Sequence, residues 1–174
     1  MVILIIGPPG SGKTTLGRRI GEHEAWVHIS EDDIWKETGI GHRPGQVRTD
    51  REQPLVHDRV HDRILAAVKT DKNVVLEFIV FDNPPFRITE YQEFLVGKGI
   101  PFVTKVLRPS LDTILKRQRT RNCPGEPPLK VRRGHVVHQL ACLQSDLIEP
   151  DWVIDSSTET VDETYSRHFR PIVE

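Results

Sequence analysis

The sequence predicts an α/β fold, a parallel sheet with helices on both faces. Three observations predict it. Short apolar runs alternate with segments of helical apolar spacing five times along the 174 residues. The first run, residues 2–6, is apolar throughout and rich in β-branched side chains, as a strand buried on both faces requires. It leads straight into Gly7-Pro8-Pro9-Gly10-Ser11-Gly12-Lys13-Thr14, which fits the spacing G-x-x-x-x-G-K-[ST] between a strand and a helical pattern.

The elements follow in order. The first helix begins near Lys13. Residues 25–29, "AWVHI", read as the second strand. From about residue 36 to 48 the chain is polar and carries glycine and proline, a loop-rich piece. Val56, Val60, Ile64 and Val68 recur every four residues and predict a long amphipathic helix. Residues 74–81, "VVLEFIVF", form the third strand, which "DNPPFR" breaks. A helix over 88–96 ends at the Gly97 to Gly99 signal. Residues 100–107, "IPFVTKVL", are the fourth strand. Leu111 and Leu115 belong to a helix that stops before Cys123-Pro124-Gly125, and residues 130–148 form another. "DWVIDSS", residues 151–157, is the fifth strand, and a last helix starts near Ser157. Right-handed crossovers place the glycine loop at the carboxyl end of the first strand.

Composition bounds the function. The length suits a single domain over residues 1–174 with a real core. A net charge of −1 gives no global bias toward nucleic acid or anionic membranes. No apolar run approaches the length of a membrane helix, and the N-terminal run is too short for a signal peptide. Cys123 and Cys142 make no disulfide framework and read as two thiols of a cytoplasmic protein.

The loop carries the most specific chemistry. Glycines let its backbone turn tightly and aim N–H groups at phosphate oxygens, and the helix that follows adds the positive end of its dipole. Lys13 reaches the β- and γ-phosphates, and the Thr14 hydroxyl is a ligand for Mg2+. Gly7, Gly10, Ser11, Gly12, Lys13, Thr14 and Thr15 are the candidate nucleotide contacts.

With "GPPGSGKTT", five strands and a short chain, the sequence resembles the P-loop kinases related to gluconate kinase, shikimate kinase, chloramphenicol phosphotransferase, zeta toxins and polynucleotide 5′-kinases. The resemblance implies a sheet order of 2-3-1-4-5, ATP with Mg2+ as donor, an acceptor-binding segment over about 35–55 and a lid over about 117–133. Two neighbouring classes fit worse. Mechanical ATPases carry paired acids at the end of the third strand, where this chain reads "VVLEFIVFD". GTP-binding switches need an N-K-x-D motif that is not found here.

The resemblance also implies the acceptor chemistry. An Asp just past the second strand contacts the acceptor hydroxyl in these kinases, and the pattern D-x-h-x, with h apolar, puts that role on Asp32, followed by Asp33. A carboxylate there orients a hydroxyl and takes its proton, and it can hold a water on Mg2+. The alternative is that Ser30-Glu31-Asp32-Asp33 cap the next helix. Arg43, Arg48 and Arg51 are candidates to hold a polar or anionic acceptor, against a solvated loop. Glu77 stands where the family places an acid toward Mg2+, more commonly Asp, and Asp82 is a second candidate. His57 and His61 have a metal-ligand spacing with no third ligand, so a solvated helix face is expected.

Seven basic residues, Lys116, Arg117, Arg119, Arg121, Lys130, Arg132 and Arg133, flank "NCPGEPP". In the family this is the lid, whose arginines stabilise charge on the transferred group. Arg117 and Arg121 lie one helical turn apart. A solvated basic face or a nucleic-acid patch is the alternative. Ser156 and Glu159 have capping-box spacing, in a stretch that lies near the adenine in this fold. The expected reaction is transfer of the γ-phosphate of ATP to a hydroxyl of a small molecule, by a monomer with no membrane contact. A polynucleotide 5′-hydroxyl, a nucleoside monophosphate, and hydrolysis by an ATPase or switch are the competing fates.

Overall fold

The computed structural model of the protein describes residues 1–39, 52–120 and 128–174. Five parallel strands, β1 (Val2–Ile6), β2 (Trp26–Ser30), β3 (Asn73–Phe78), β4 (Phe102–Leu107) and β5 (Val153–Ile154), form one sheet. Their order, β2-β3-β1-β4-β5, is the one expected. The helices are α1 (Lys13–Gly21), α2 (Glu31–Glu37), α3 (Gln53–Lys69), α4 (Phe86–Gly97), α5 (Leu111–Thr120), α6 (Leu129–Cys142), α7 (Val161–His168) and α8 (Arg170–Val173).

β1 runs through the middle. Val2 pairs with Val74 on one side and with Phe102 on the other. Its side chains alternate between two cores. Leu4 and Ile6 share one with Val60, Ile64, Tyr91 and Leu95 of α3 and α4. Ile3 and Ile5 share the other with Leu16 and Ile20 of α1 and with Tyr165 and Phe169 near the C-terminus. A strand covered on both faces has no solvated side, which is why its sequence is apolar without alternation.

Several boundaries differ from expectation. β2 starts and ends one residue later than residues 25–29. β3 stops at Phe78 because its neighbours stop there: Ile6 pairs with Phe78 and Ser30 with Glu77, so residues 79–81 extend past the ladder. β5 is two residues long, preceded by a 3-10 turn over Pro150–Trp152. α6 ends at Cys142, not 148, and the chain continues in tight turns such as Ile148 N–H to Ser145 carbonyl. The last helix starts at Val161, not near Ser157, because the capping box is built by Thr160 and Glu163. Ser156 and Glu159 do not cap it: the Ser156 carbonyl accepts from Arg117, and the Glu159 side chain accepts from Thr164 and pairs with Arg167. Much of the expected acceptor segment and lid, residues 40–51 and 121–127, lies outside the described residues. No helix among the described residues is long and apolar enough to cross a membrane.

Candidate active site

The loop between β1 and α1 is held by its own backbone. Gly12, the N-cap of α1, has φ +107°, a conformation that side-chain-bearing residues avoid. Ser11 N–H donates to the Pro8 carbonyl at 3.0 Å. Lys13 is buried, and its Nζ donates to the same carbonyl at 3.2 Å. Gly7 and Gly10 lie on either side of the two prolines, and Thr15 faces outward from the first turn of α1. The first-turn N–H groups of α1 lack intrahelical partners, so the loop closes around a positive helix end suited to an anion.

Beside the loop runs a groove of about 410 Å³, lined by Ser11, Gly12, Thr15, Arg117, Ser156 and Val161 among others. That volume lies within the usual range for small-ligand sites. Arg117 frames it. Its guanidinium donates to the carbonyls of Ser11 (3.3 Å), Ser156 (2.8 Å) and Glu159 (3.3 Å), so it ties the phosphate loop to the segment after β5. Burial pushes the Arg117 pKa down from its ordinary value. Gln118, which the sequence reading missed, donates to the Pro9 carbonyl at 2.7 Å from the other side. Ser11 Oγ and Ser156 Oγ are buried without a hydrogen-bond partner among the described residues. Two orphaned polar atoms in a groove against a glycine loop fit a bound nucleotide.

At the other end of the loop, Thr14 Oγ1 donates to Glu77 Oε2 at 2.9 Å. Glu77 is buried, and its second oxygen lies 3.2 Å from Nε2 of His28 on β2. Two hard oxygen donors in contact suit Mg2+. Glu77, and not Asp82, is the acid that meets Thr14; Asp82 stands exposed beyond β3. Nothing in the sequence singled out His28.

The carboxyl end of β2 opens into α2, whose first turn holds Glu31, Asp32 and Asp33. Asp32 is exposed. Asp33 pairs with Lys36 at 2.5 Å. Ser30, the N-cap, makes no side-chain cap bond, so of the alternative capping role only the acids' charge against the helix dipole is left.

Glu31, given no role of its own by sequence reasoning, is buried at the centre of a network. It accepts from Trp35 Nε1 (3.2 Å) and Tyr91 hydroxyl (3.1 Å) and lies 3.6 Å from Arg87 Nη1. Arg87 is itself buried, bonds Gln53 at 2.5 Å and approaches Glu90 at 3.1 Å. Burial, then the Glu31 carboxylate, pushes the Tyr91 pKa well up, which keeps its proton available to donate. Tyr at this spacing reads as core, and a lone Arg at the start of a helix carries no periodic signal, so the pattern hid both.

His57 and His61 are not a solvated face. His57 packs against Tyr91, and His61 stacks on Phe94 with ring centroids 3.7 Å apart. No group of three or more metal-binding side chains occurs among the described residues. Arg132 Nη1 reaches the Gln118 carbonyl at 3.5 Å, next to the loop. Arg43, Arg48, Arg51 and Arg121 lie outside the described residues.

Known proteins bear on this arrangement. A curated relative, the cytidylate kinase of Sulfurisphaera tokodaii, is 30% identical over 82 residues, and the match spans 44% of this chain and 44% of that protein's length. The tunicamycin resistance protein of Deinococcus radiodurans has a similar structure, with a TM-score of 0.66 at 20% identity, covering 95% of this chain and 91% of that one. A sugar kinase from Janibacter sp. gives a TM-score of 0.66 at 18% identity, covering 95% and 90%. These structural likenesses carry the fold. Residues 2–145 match the family described as AAA domain. The chain therefore belongs to that family of P-loop proteins, and its fold is that of the P-loop kinases.

Proposed function

We propose that this protein is a kinase that moves the γ-phosphate of ATP, bound with Mg2+, to a hydroxyl of a small molecule. One observation carries the reading: the site end of β2 presents carboxylates, and its buried cation is already matched. Asp32 stands in the first turn of α2, while Arg87 is held by Glu31 and Glu90. A carboxylate serves a hydroxyl acceptor, which must be oriented and lose a proton; it repels a phosphate acceptor.

Gly7, Gly10, Ser11, Gly12 and Thr15 cradle the phosphates. Lys13 leaves the Pro8 carbonyl for the β- and γ-phosphates. Thr14 and Glu77 hold Mg2+, which when bound offsets the phosphate charge. Arg117 frames the base and ribose, Arg121 stabilises charge on the transferred group, and Arg43 and Arg48 hold the acceptor with Asp32 and Asp33. The acceptor oxygen bonds the γ-phosphorus as the bond to the β–γ bridging oxygen breaks, and the hydroxyl proton passes to Asp32. Cytoplasmic residence and a monomeric state belong to the same proposal.

A second reading, transfer to a nucleoside monophosphate, is favoured by the name of the curated relative. ATP consumption against sugars, sugar acids, nucleosides, antibiotics, 5′-hydroxyl oligonucleotides and CMP separates the two, with Asp32→Asn alongside. Stimulation by one small hydroxyl compound, lost in the variant, supports the first; stimulation by the 5′-hydroxyl oligonucleotides alone makes the acceptor a polynucleotide end instead. Stimulation by CMP that survives the variant supports the second. A slow ATPase indifferent to every acceptor and to the variant rejects both.

A further inference from the structure

We propose that His28 is a positioning residue for Glu77, holding its carboxylate in the orientation that faces Thr14. The proposal rests on the reading of Thr14 and Glu77 as the pair that holds Mg2+. His28 sits on β2 two residues before Ser30, the register partner of Glu77. Its Nε2 lies 3.2 Å from Glu77 Oε1, while Oε2 takes the Thr14 hydrogen bond. The two side chains are only 16% and 4% exposed. Both atoms are buried and neither makes a hydrogen bond among the described residues; their 3.2 Å approach is a close polar contact. A buried carboxylate oxygen without a donor carries its full desolvation cost, and a proton on Nε2, the nitrogen in contact with it, is what can offset that cost.

Helix α1 is shaped around this ring. A Cβ at Gly17 would stand 2.5 Å from His28 Nε2, and one at Gly21 would stand 2.9 Å from His28 Cβ. Glycine inside a helix is destabilising relative to alanine, and here it admits the imidazole between α1 and the sheet. The order of contacts is Gly17, His28, Glu77, Thr14. Donors behind metal-binding groups typically change metal affinity about 10–100-fold when removed.

The test is calorimetric binding of ADP to the full chain, in EDTA and across a Mg2+ series. It compares the wild type with His28→Met, His28→Gln, Gly17→Ala and Glu77→Gln, each checked by thermal melting. Methionine keeps the bulk and removes the donor; glutamine restores an N–H. His28→Met is expected to raise the Mg2+ concentration at which ADP affinity is half-enhanced about tenfold. His28→Gln should recover most of that shift, and ADP affinity in EDTA should not change. If His28→Met does not fold, Gly17→Ala, which displaces the ring, must give the shift. An unmoved Mg2+ midpoint in the His28 and Gly17 variants, with a shift in Glu77→Gln, makes His28 a packing residue and overturns the proposal alone. An unmoved midpoint in Glu77→Gln as well removes the Mg2+ pair and the proposal with it.

Discussion

Thr14 Oγ1 and Glu77 Oε2 stand 2.9 Å apart, joining the last residue of the phosphate loop to the acid near the end of the neighbouring strand. Adjacent strands in register make the contact: Ile5 of β1 pairs with Glu77 of β3. Glu77→Gln keeps the shape and a hydrogen-bond acceptor but removes the charge that a divalent cation needs. Turnover with the acceptor found by screening should fall about 10–100-fold. Raising Mg2+ should restore part of it. Full activity of the variant at every Mg2+ concentration would rule out Glu77 as the acid that serves the metal.

Arg117 is the joint between the phosphate loop and the segment after β5, donating to three backbone carbonyls. Arg117→Ala leaves those carbonyls to find water and frees one wall of the groove. Unfolding in urea should show a loss of about 1–3 kcal/mol, from hydrogen bonds made by a charged donor. The KM for ATP should rise as well. Arg117→Lys should recover little of either, since an ammonium lacks the planar fork that spans three acceptors. A variant with unchanged stability and unchanged KM would refute this.

What was legible in the sequence follows from the range of the interactions involved. Residues 7–14 act locally: strand, turn and helix are consecutive, and the spacing encodes the cradle. Glu77 was legible as an acid in an apolar strand, because such a residue must meet a partner, but which partner depended on β1 and β3 being neighbours. Glu31, Arg87 and Gln53 were not legible. They come from three separate elements, and no spacing along the chain reports that they meet. The shifted cap shows a different limit. Ser156 and Glu159 have the right spacing, and so do Thr160 and Glu163; the tertiary bond from Arg117 to the Ser156 carbonyl decides between them.

The pair of Glu31 and Arg87 should dominate the stability of the region where α2, α3 and α4 meet. Both side chains are under a tenth exposed and lie 3.6 Å apart. Removing one partner strands a buried charge, at a cost of about 3–5 kcal/mol. Arg87→Met should therefore lower unfolding free energy by about that much. Adding Glu31→Gln, which removes the stranded charge and keeps one of the two acceptor oxygens that Trp35 and Tyr91 use, should return part of the loss. Costs that simply add in the double variant would show that the two residues are not coupled.

His57 should give the protein an acid-sensitive limb. Its pKa is lowered from 6.5 to about 4, first by burial, then by the Arg87 and His61 charges. Glu90 acts in the opposite sense from 3.9 Å off Nδ1, but it is more than half exposed and does not reverse the shift. Above about pH 6.5 the ring is neutral in folded and unfolded chains alike. As pH falls from 6.5 toward 4, the unfolded chain takes up a proton that the folded one does not, so stability falls across that window. Below about 4 both states are protonated and this loss is complete. His57→Gln removes the titrating group, so in urea melts from pH 7 to pH 4 the variant's stability should decline less steeply than the wild type's. The contrast should be confined to that window and absent above it. Parallel curves over the whole range would show that His57 does not carry the acid limb.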